Sequence, residues 1–129
     1  MKKLVIVFAL NHAMAFLDAR SSQHLAHLRW PGTTAPMARE LNPILRPFAG
    51  SPAMYPAMQV VPTTLDLLAH WRRTRRLAVV LAGAETTSHA VWIRRNTNLY
   101  DDLQRRRAAY AKRSAGLHHD FPEVVTAQH

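Results

Sequence analysis

Three apolar stretches, residues 4–28, 53–71 and 77–93, each interrupted by polar or ionisable side chains, limit what this chain can fold into more than any other feature. A helix that spans a bilayer usually announces itself as about 18 or more apolar residues in a row, and none of the three is such a run. The interruptions nevertheless have a period. In the first stretch Asn11, Ala15, Asp18 and Ser22 follow the i, i+4, i+7, i+11 spacing of one helix face, and in the second Gln59, Thr63, Asp66 and His70 repeat it. The third stretch carries Glu85, Thr86, Thr87, Ser88 and His89, with Glu85 and His89 one helical turn apart.

The punctuation between the stretches is sharp. Trp30-Pro31-Gly32 ends the first, because proline cannot continue a helical hydrogen-bond ladder and Pro-Gly favours a turn. Residues 31–52 hold five prolines (Pro31, Pro36, Pro43, Pro47, Pro52), which leaves room for a short helical piece at most, around Met37 to Leu41. Pro56 and Pro62 predict a kinked second helix. Arg72-Arg73-Thr74-Arg75-Arg76 reads as a basic connector and Arg94-Arg95 as the close of the third helix, with Gly83, Ala84, Thr87 and Ser88 as the small residues that let helices approach. Asp101 and Asp102 near a start, and Arg105, Arg106, Arg107, Lys112 and Arg113 near an end, predict a separate fourth helix over about 97–117. Residues 118–129 have no periodicity and are expected to be a flexible tail. The expected architecture is all-α: a three-helix transmembrane bundle within 1–96, a Pro-rich loop and a basic C-terminal helix.

The N-terminus, Met1-Lys2-Lys3 followed by residues 4–10 and Ala13-Met14-Ala15, has the outline of a signal peptide. Asn11-His12 break the apolar run before that cleavage motif, which favours an uncleaved first helix. A water-soluble bundle, with the polar stripes outward and the tryptophans in a core, is the other reading of the same periodicity. Placement of aromatic residues favours the membrane: Trp30, Trp71 and Trp92 stand at segment ends and Tyr55 at a segment start, beside arginines. In that reading Arg72, Arg73, Arg75, Arg76, Arg94 and Arg95 meet anionic lipid headgroups, and the stripe residues Asn11, Asp18, Gln59, Thr63 and Asp66 face inward. Orientation is contested, because an inside N-terminus puts Arg94, Arg95 and the basic tail outside unless the third segment fails to cross.

An apolar first helix with Asn11 and Asp18, the loop Glu40-Leu41-Asn42-Pro43 followed by Ile44-Leu45-Arg46-Pro47, and two helices joined by an Arg-rich turn resemble a family of small three-helix bacterial integral membrane proteins of unknown function. Those proteins share an Asn-Pro loop after an Asp-bearing first helix. The resemblance covers roughly Leu4 to Asn96 and implies an inner-membrane, multi-pass topology with the loop closing over the bundle; it implies no activity. Asp66 and the long basic tail depart from the pattern.

Chemistry is concentrated in His12, Asp18, Asp66, His70, Glu85 and His89. Histidine and carboxylate inside a membrane can ligate haem, a pigment or a metal, or pass protons, and His89, Glu85, His12 and His70 are the candidates for such a site. Glu85-x3-His89 is not a zinc-protease motif, so no metal is assigned. The blander role of these groups is to hydrogen-bond helix to helix. No nucleophile elbow, phosphate loop or dinucleotide fingerprint occurs, the chain has no cysteine, and a non-catalytic protein is expected. A formal charge of +9 favours an acidic partner. Arg105 to Arg113 with Tyr100 and Tyr110 would suit nucleic acid, but next to membrane segments a lipid surface is the commoner partner. These expectations converge on an accessory or assembly subunit of a larger membrane complex, with a His/carboxylate module and a soluble nucleic-acid binder as alternatives.

Overall fold

The first apolar stretch forms α1, Lys2–Ala26, in a computed structural model that describes residues 2–40, 43–114 and 125–127. Of the described helices it is the one long and apolar enough to cross a membrane, over Leu4–Ala26. Its end is held by Arg29, whose guanidinium donates to the carbonyls of Ala26 and Leu28. The chain then reverses at Pro31-Gly32, where Gly32 adopts φ 75°, and returns so that Met37 N–H donates to the Leu28 carbonyl at 3.0 Å. Residues 38–40 are extended rather than helical. Ala38–Glu40 form β1, which pairs in parallel with β2, Val125–Ala127, in the register Ala38 to Val125 through Glu40 to Ala127. The expected short helix around Met37 to Leu41 is therefore replaced by a strand, with Leu41 itself outside the described residues. Three residues of the expected flexible tail are its partner strand; the rest of 118–129 also lies outside the described residues.

A 3-10 turn at Arg46–Phe48 leads to α2, Met54–Met58, and α3, Val60–His70. The break between them has a local cause. Pro62 has no N–H to donate to Met58, so the ladder tightens, with Gln59 N–H bonding Pro56 at 3.1 Å, and resumes at Thr63 N–H to Gln59. After Trp71 a tight turn is closed by Thr74 and Arg75, whose N–H groups donate to the Trp71 carbonyl at 3.2 and 3.0 Å.

The chain then enters α4, Arg75–Ser114, 40 residues and about 60 Å at 1.5 Å per residue. The third segment and the basic helix are thus one element. Nothing between residues 84 and 114 is a Pro or Gly, and Asp101-Asp102 sit mid-helix, where Asp102 pairs with Arg106 at 2.8 Å instead of marking a start.

Contacts along α1 and α4 advance together: Asn11 with Glu85, Asp18 with His89, Ser21 with Asn96, His24 with Tyr100. These two helices are parallel. α2 and α3 run the other way, since Phe16 stacks on Tyr55 and His12 reaches Gln59 and Asp66. Along α4 the residues Ala82, His89, Asn96, Leu103 and Tyr110 recur every seventh position and are buried or half-buried, the spacing of a two-helix seam.

The interior changes character along this seam. At the far end Leu25, Leu28, Trp30, Met37, Ala38 and Leu103 form an apolar core, with Trp30 5.5 Å from the Tyr110 ring. Trp30 is therefore a core residue and not an interfacial one. Tyr110 and Tyr100 also pack inward, Tyr100 against His24, so neither is presented for stacking on a base. In the other half the interior is small or polar: Asn11, Ala15, Asp18, Ala19, Ala78, Ala82 and His89 are buried, joined by Leu65, Met54 and Pro62. Most of the large apolar side chains there point outward, with Val5 and Val80 67 and 68 % exposed. On α4 no large exposed apolar residue lies beyond Val91.

Candidate functional site

The site lies where α1 and α4 exchange polar groups. Ala15 and Ala19 on α1 and Ala78 and Ala82 on α4 are all buried to within 1 %, and side chains this small bring the helices close enough for short polar residues to meet. The small residues expected to do this, Gly83, Ala84, Thr87 and Ser88, face outward instead. They lie a quarter turn or more from the seam that Ala78, Ala82, His89 and Asn96 define.

Asp18 Oδ2 accepts from His89 Nδ1 at 2.8 Å, and the other ring nitrogen faces Glu85 Oε1 at 3.5 Å. Glu85 Oε2 accepts from Asn11 Nδ2 at 2.8 Å, and the Thr86 hydroxyl stands 3.1 Å from Asn11 Oδ1. One line of polar groups, Asp18, His89, Glu85, Asn11 and Thr86, therefore runs through the bundle, with Asn11, Asp18 and His89 at 0, 3 and 8 % exposure. Two buried atoms on it have no hydrogen-bond partner, Asp18 Oδ1 and His89 Nε2. One turn farther Asn96 Nδ2 donates to Ser21 and Ser22 Oγ at 2.9 and 3.2 Å.

His12, the next residue after Asn11, points about 100° round α1 from it, toward α2 and α3. Its Nε2 meets Asp66 Oδ2 at 2.8 Å and its Nδ1 meets Gln59 Oε1, while Gln59 Nε2 donates to the His12 carbonyl at 3.1 Å. This pair opens onto a groove of about 500 Å³ between α1 and α3, walled by Leu4, Val5, Phe8, Ala9 and Ala69 and reaching His70 and Arg75. The second helix thus departs from the expected inward stripe. Gln59 and Asp66 reach inward, whereas Thr63 and His70 are exposed, because α3 packs through Pro62 and Leu65 and its polar face is turned to the groove.

The four candidate ligands consequently divide. Glu85 and His89 share the buried line, His12 turns to Gln59 and Asp66, and His70 lines the groove. Among the described residues no group of three or more His, Asp or Glu could hold a metal ion. The reason is orientation, since the His89 ring separates Asp18 from Glu85 rather than joining them on one donor set. The arginines lie at two levels. Arg72 and Arg73 are exposed in the turn before α4 and Arg75 and Arg76 in its first turn, and Arg94 and Arg95 are exposed just before Asn96, which bonds Ser21 of α1, with the Arg95 guanidinium 5.2 Å over the Trp92 ring. Sequence reasoning missed Asn96, which stood among the charges after the third segment; its place seven residues after His89 was the signal that could have found it.

No protein-family model, characterised protein or solved structure matches the chain.

Proposed function

We propose that this chain is a multi-pass membrane protein with three spans, residues 4–20, 54–70 and 77–93, that serves as a non-catalytic accessory or assembly subunit in a larger membrane complex. The observation that carries it is the inverted half of the bundle, where most large apolar side chains are outside and Asn11, Asp18 and His89 are inside. Water selects the opposite arrangement, and lipid selects this one because a carboxylate facing acyl chains costs a few kcal/mol. The levels agree. From Leu4 to Arg20 and from Leu77 to Arg94 the two parallel helices each rise about 25 Å, near the thickness of the hydrocarbon layer. Arginines at both levels suit anionic headgroups. A third span parallel to the first places the N-terminus and Arg72 to Arg76 on one side and the basic half of α4 on the other. The resemblance noted above adds the inner membrane of a bacterium to this reading.

The subunit role is supported by the outward Gly83, Ala84, Thr87 and Ser88, small residues on the lipid-facing side of α4 that leave room for another helix. Nothing lies within 4 Å of where a Cβ on Gly83 would stand, so Gly83→Leu is compatible with the fold of the chain itself. Membranes washed with alkaline carbonate are expected to keep the protein, and loss to the wash would sink the membrane reading. In mild detergent the native protein is expected to migrate as part of a larger assembly that Gly83→Leu reduces to the single chain. Migration of the wild type as a lone chain would remove the subunit role.

A further inference from the structure

Glu85 lies eight residues from each end of 77–93, and Asn11 and His12 lie midway along 4–20, so the polar line starts at the middle of the three-span bundle and runs through His89 to Asp18, two residues before the end of 4–20. Ionisable groups at that depth are costly, and a clasp made only for packing would satisfy its own atoms. This one leaves Asp18 Oδ1 and His89 Nε2 without hydrogen bonds although both are buried. We propose that Glu85, His89 and Asp18 form a proton relay across the membrane midplane. It is reached from one face by the groove at His12 and Asp66 and from the other by the cavity beside Ser21 and Asn96. The inference rests on the three-span reading above.

The imidazole is set between two carboxylates, one at each ring nitrogen. With Nδ1–H donated to Asp18, the Nε2 lone pair faces Glu85, an arrangement that a proton shared between Glu85 Oε1 and His89 Nε2 turns from repulsive to attractive. A proton on Glu85 passes to Nε2, the O–H bond breaking as the N–H bond forms. The imidazolium then releases its Nδ1 proton to Asp18 Oδ2, which leaves a neutral ring protonated on Nε2 and a neutral Asp18. Once Asp18 has passed its proton on, a water molecule that takes the Nε2 proton and gives one of its own to Nδ1 restores the starting tautomer. Asn11 holds Glu85 in place through its 2.8 Å bond and carries no proton itself.

Both ends have access. The groove of about 500 Å³ exposes 33 % of the His12 and 43 % of the Asp66 side chain. Acyl chains are poor company for that pair, so the polar floor of the groove selects water, while its walls remain apolar. Beyond Asp18, Ser21, bonded to Asn96, borders a cavity of about 70 Å³ also lined by His24, Asn96, Thr97 and Tyr100. That is room for several waters at roughly 10–15 Å³ of such space each. Two steps have no direct hydrogen bond: Asp18 to the serines, one turn along α1, and His12 to Glu85, which Asn11, the residue before His12, holds; both are completed by side-chain rotation or water.

The test uses the full chain in liposomes enclosing a pH-sensitive dye, with protons driven inward by a potassium diffusion potential. The wild type is expected to acidify the lumen roughly tenfold or more faster than protein-free liposomes, the scale on which one positioned proton carrier acts. Glu85→Gln and His89→Gln should fall to the protein-free rate, while Thr63→Ala, an exposed position on α3, should match the wild type. Carbonate resistance and helicity are measured on the same samples. A carbonate-resistant wild type at the protein-free rate overturns the relay and leaves the three spans standing. Variants that conduct like the wild type overturn the assignment to these residues. A wild type stripped off by carbonate overturns both readings.

Discussion

Asp18 has the most to lose of any side chain in the bundle, because it is a carboxylate at 3 % exposure whose single described side-chain partner is His89. Removing one member of a buried pair strands the other, a loss of about 3–5 kcal/mol in comparable cases, whereas replacing both with apolar groups is far milder. Asp18→Ala and His89→Ala are therefore each expected to lower stability by about that amount, and Asp18→Leu with His89→Leu by clearly less than the two single losses combined. Unfolding by a denaturing detergent titrated into mild micelles measures this. Single losses within about 0.5 kcal/mol, the range of ordinary surface changes, would mean that the pair holds nothing together. The inward aim of Asn11 and Asp18 was legible in the sequence because both obey the same helical period as Ala15 and Ser22. Thr63 obeyed such a period too, and is exposed. Periodicity identifies a face and does not say what the face meets.

At the scale of elements the decisive one is α4. Rising charge and the Asp101-Asp102 pair, which resembles a helix start, favour a boundary near Asn96; the helix runs straight through, since charged and amide residues are acceptable in a helix interior when Asn96 finds the serines of α1. Thr97→Pro separates the two descriptions. A linker would tolerate it, but inside a continuous helix it costs about 3 kcal/mol or more. The expected result is a large loss of stability and of hydrogen-exchange protection around residues 93–97, and tolerance would argue for two helices. The kink in the second segment was legible for the converse reason. A proline acts on the carbonyl four residues earlier whatever the tertiary context, so Pro62 alone explains the break at Gln59.

The whole molecule has two zones, one with a polar interior and apolar exterior and one with the ordinary apolar core of Leu25, Trp30, Met37 and Leu103. Each makes a different prediction. Leu10 is 50 % exposed at the middle of the first span, so Leu10→Asp is expected to cost about 2.5–3.5 kcal/mol in a bilayer. In water the same change at an exposed helix position would be nearly neutral. The membrane-inserted fraction after cell-free synthesis with vesicles checks it, and unchanged insertion would count against the three spans. Leu103, fully buried in the second zone, behaves as a soluble core residue does, and Leu103→Ala is expected to cost about 2–5 kcal/mol. A loss under about 1 kcal/mol in the same unfolding titration would mean that this cluster is not a packed core.

The sequence by itself determined the helical character of the three apolar stretches, the proline breaks, the polar face of α1 and the one-turn proximity of Glu85 to His89. Each of these is a relation among residues a few positions apart, and backbone geometry alone enforces it. The tertiary structure decided that α1 and α4 run parallel, which sets Asp18 against His89 across 71 residues and Asn11 against Glu85 across 74. It also decided that three residues near the C-terminus would pair with Ala38–Glu40, and that the small residues at the seam would be alanines on α1 and α4 rather than the Gly83 group. Such contacts depend on which faces pack at the closest approach of two helices. That is settled by the whole set of side-chain sizes and not by the spacing within either helix.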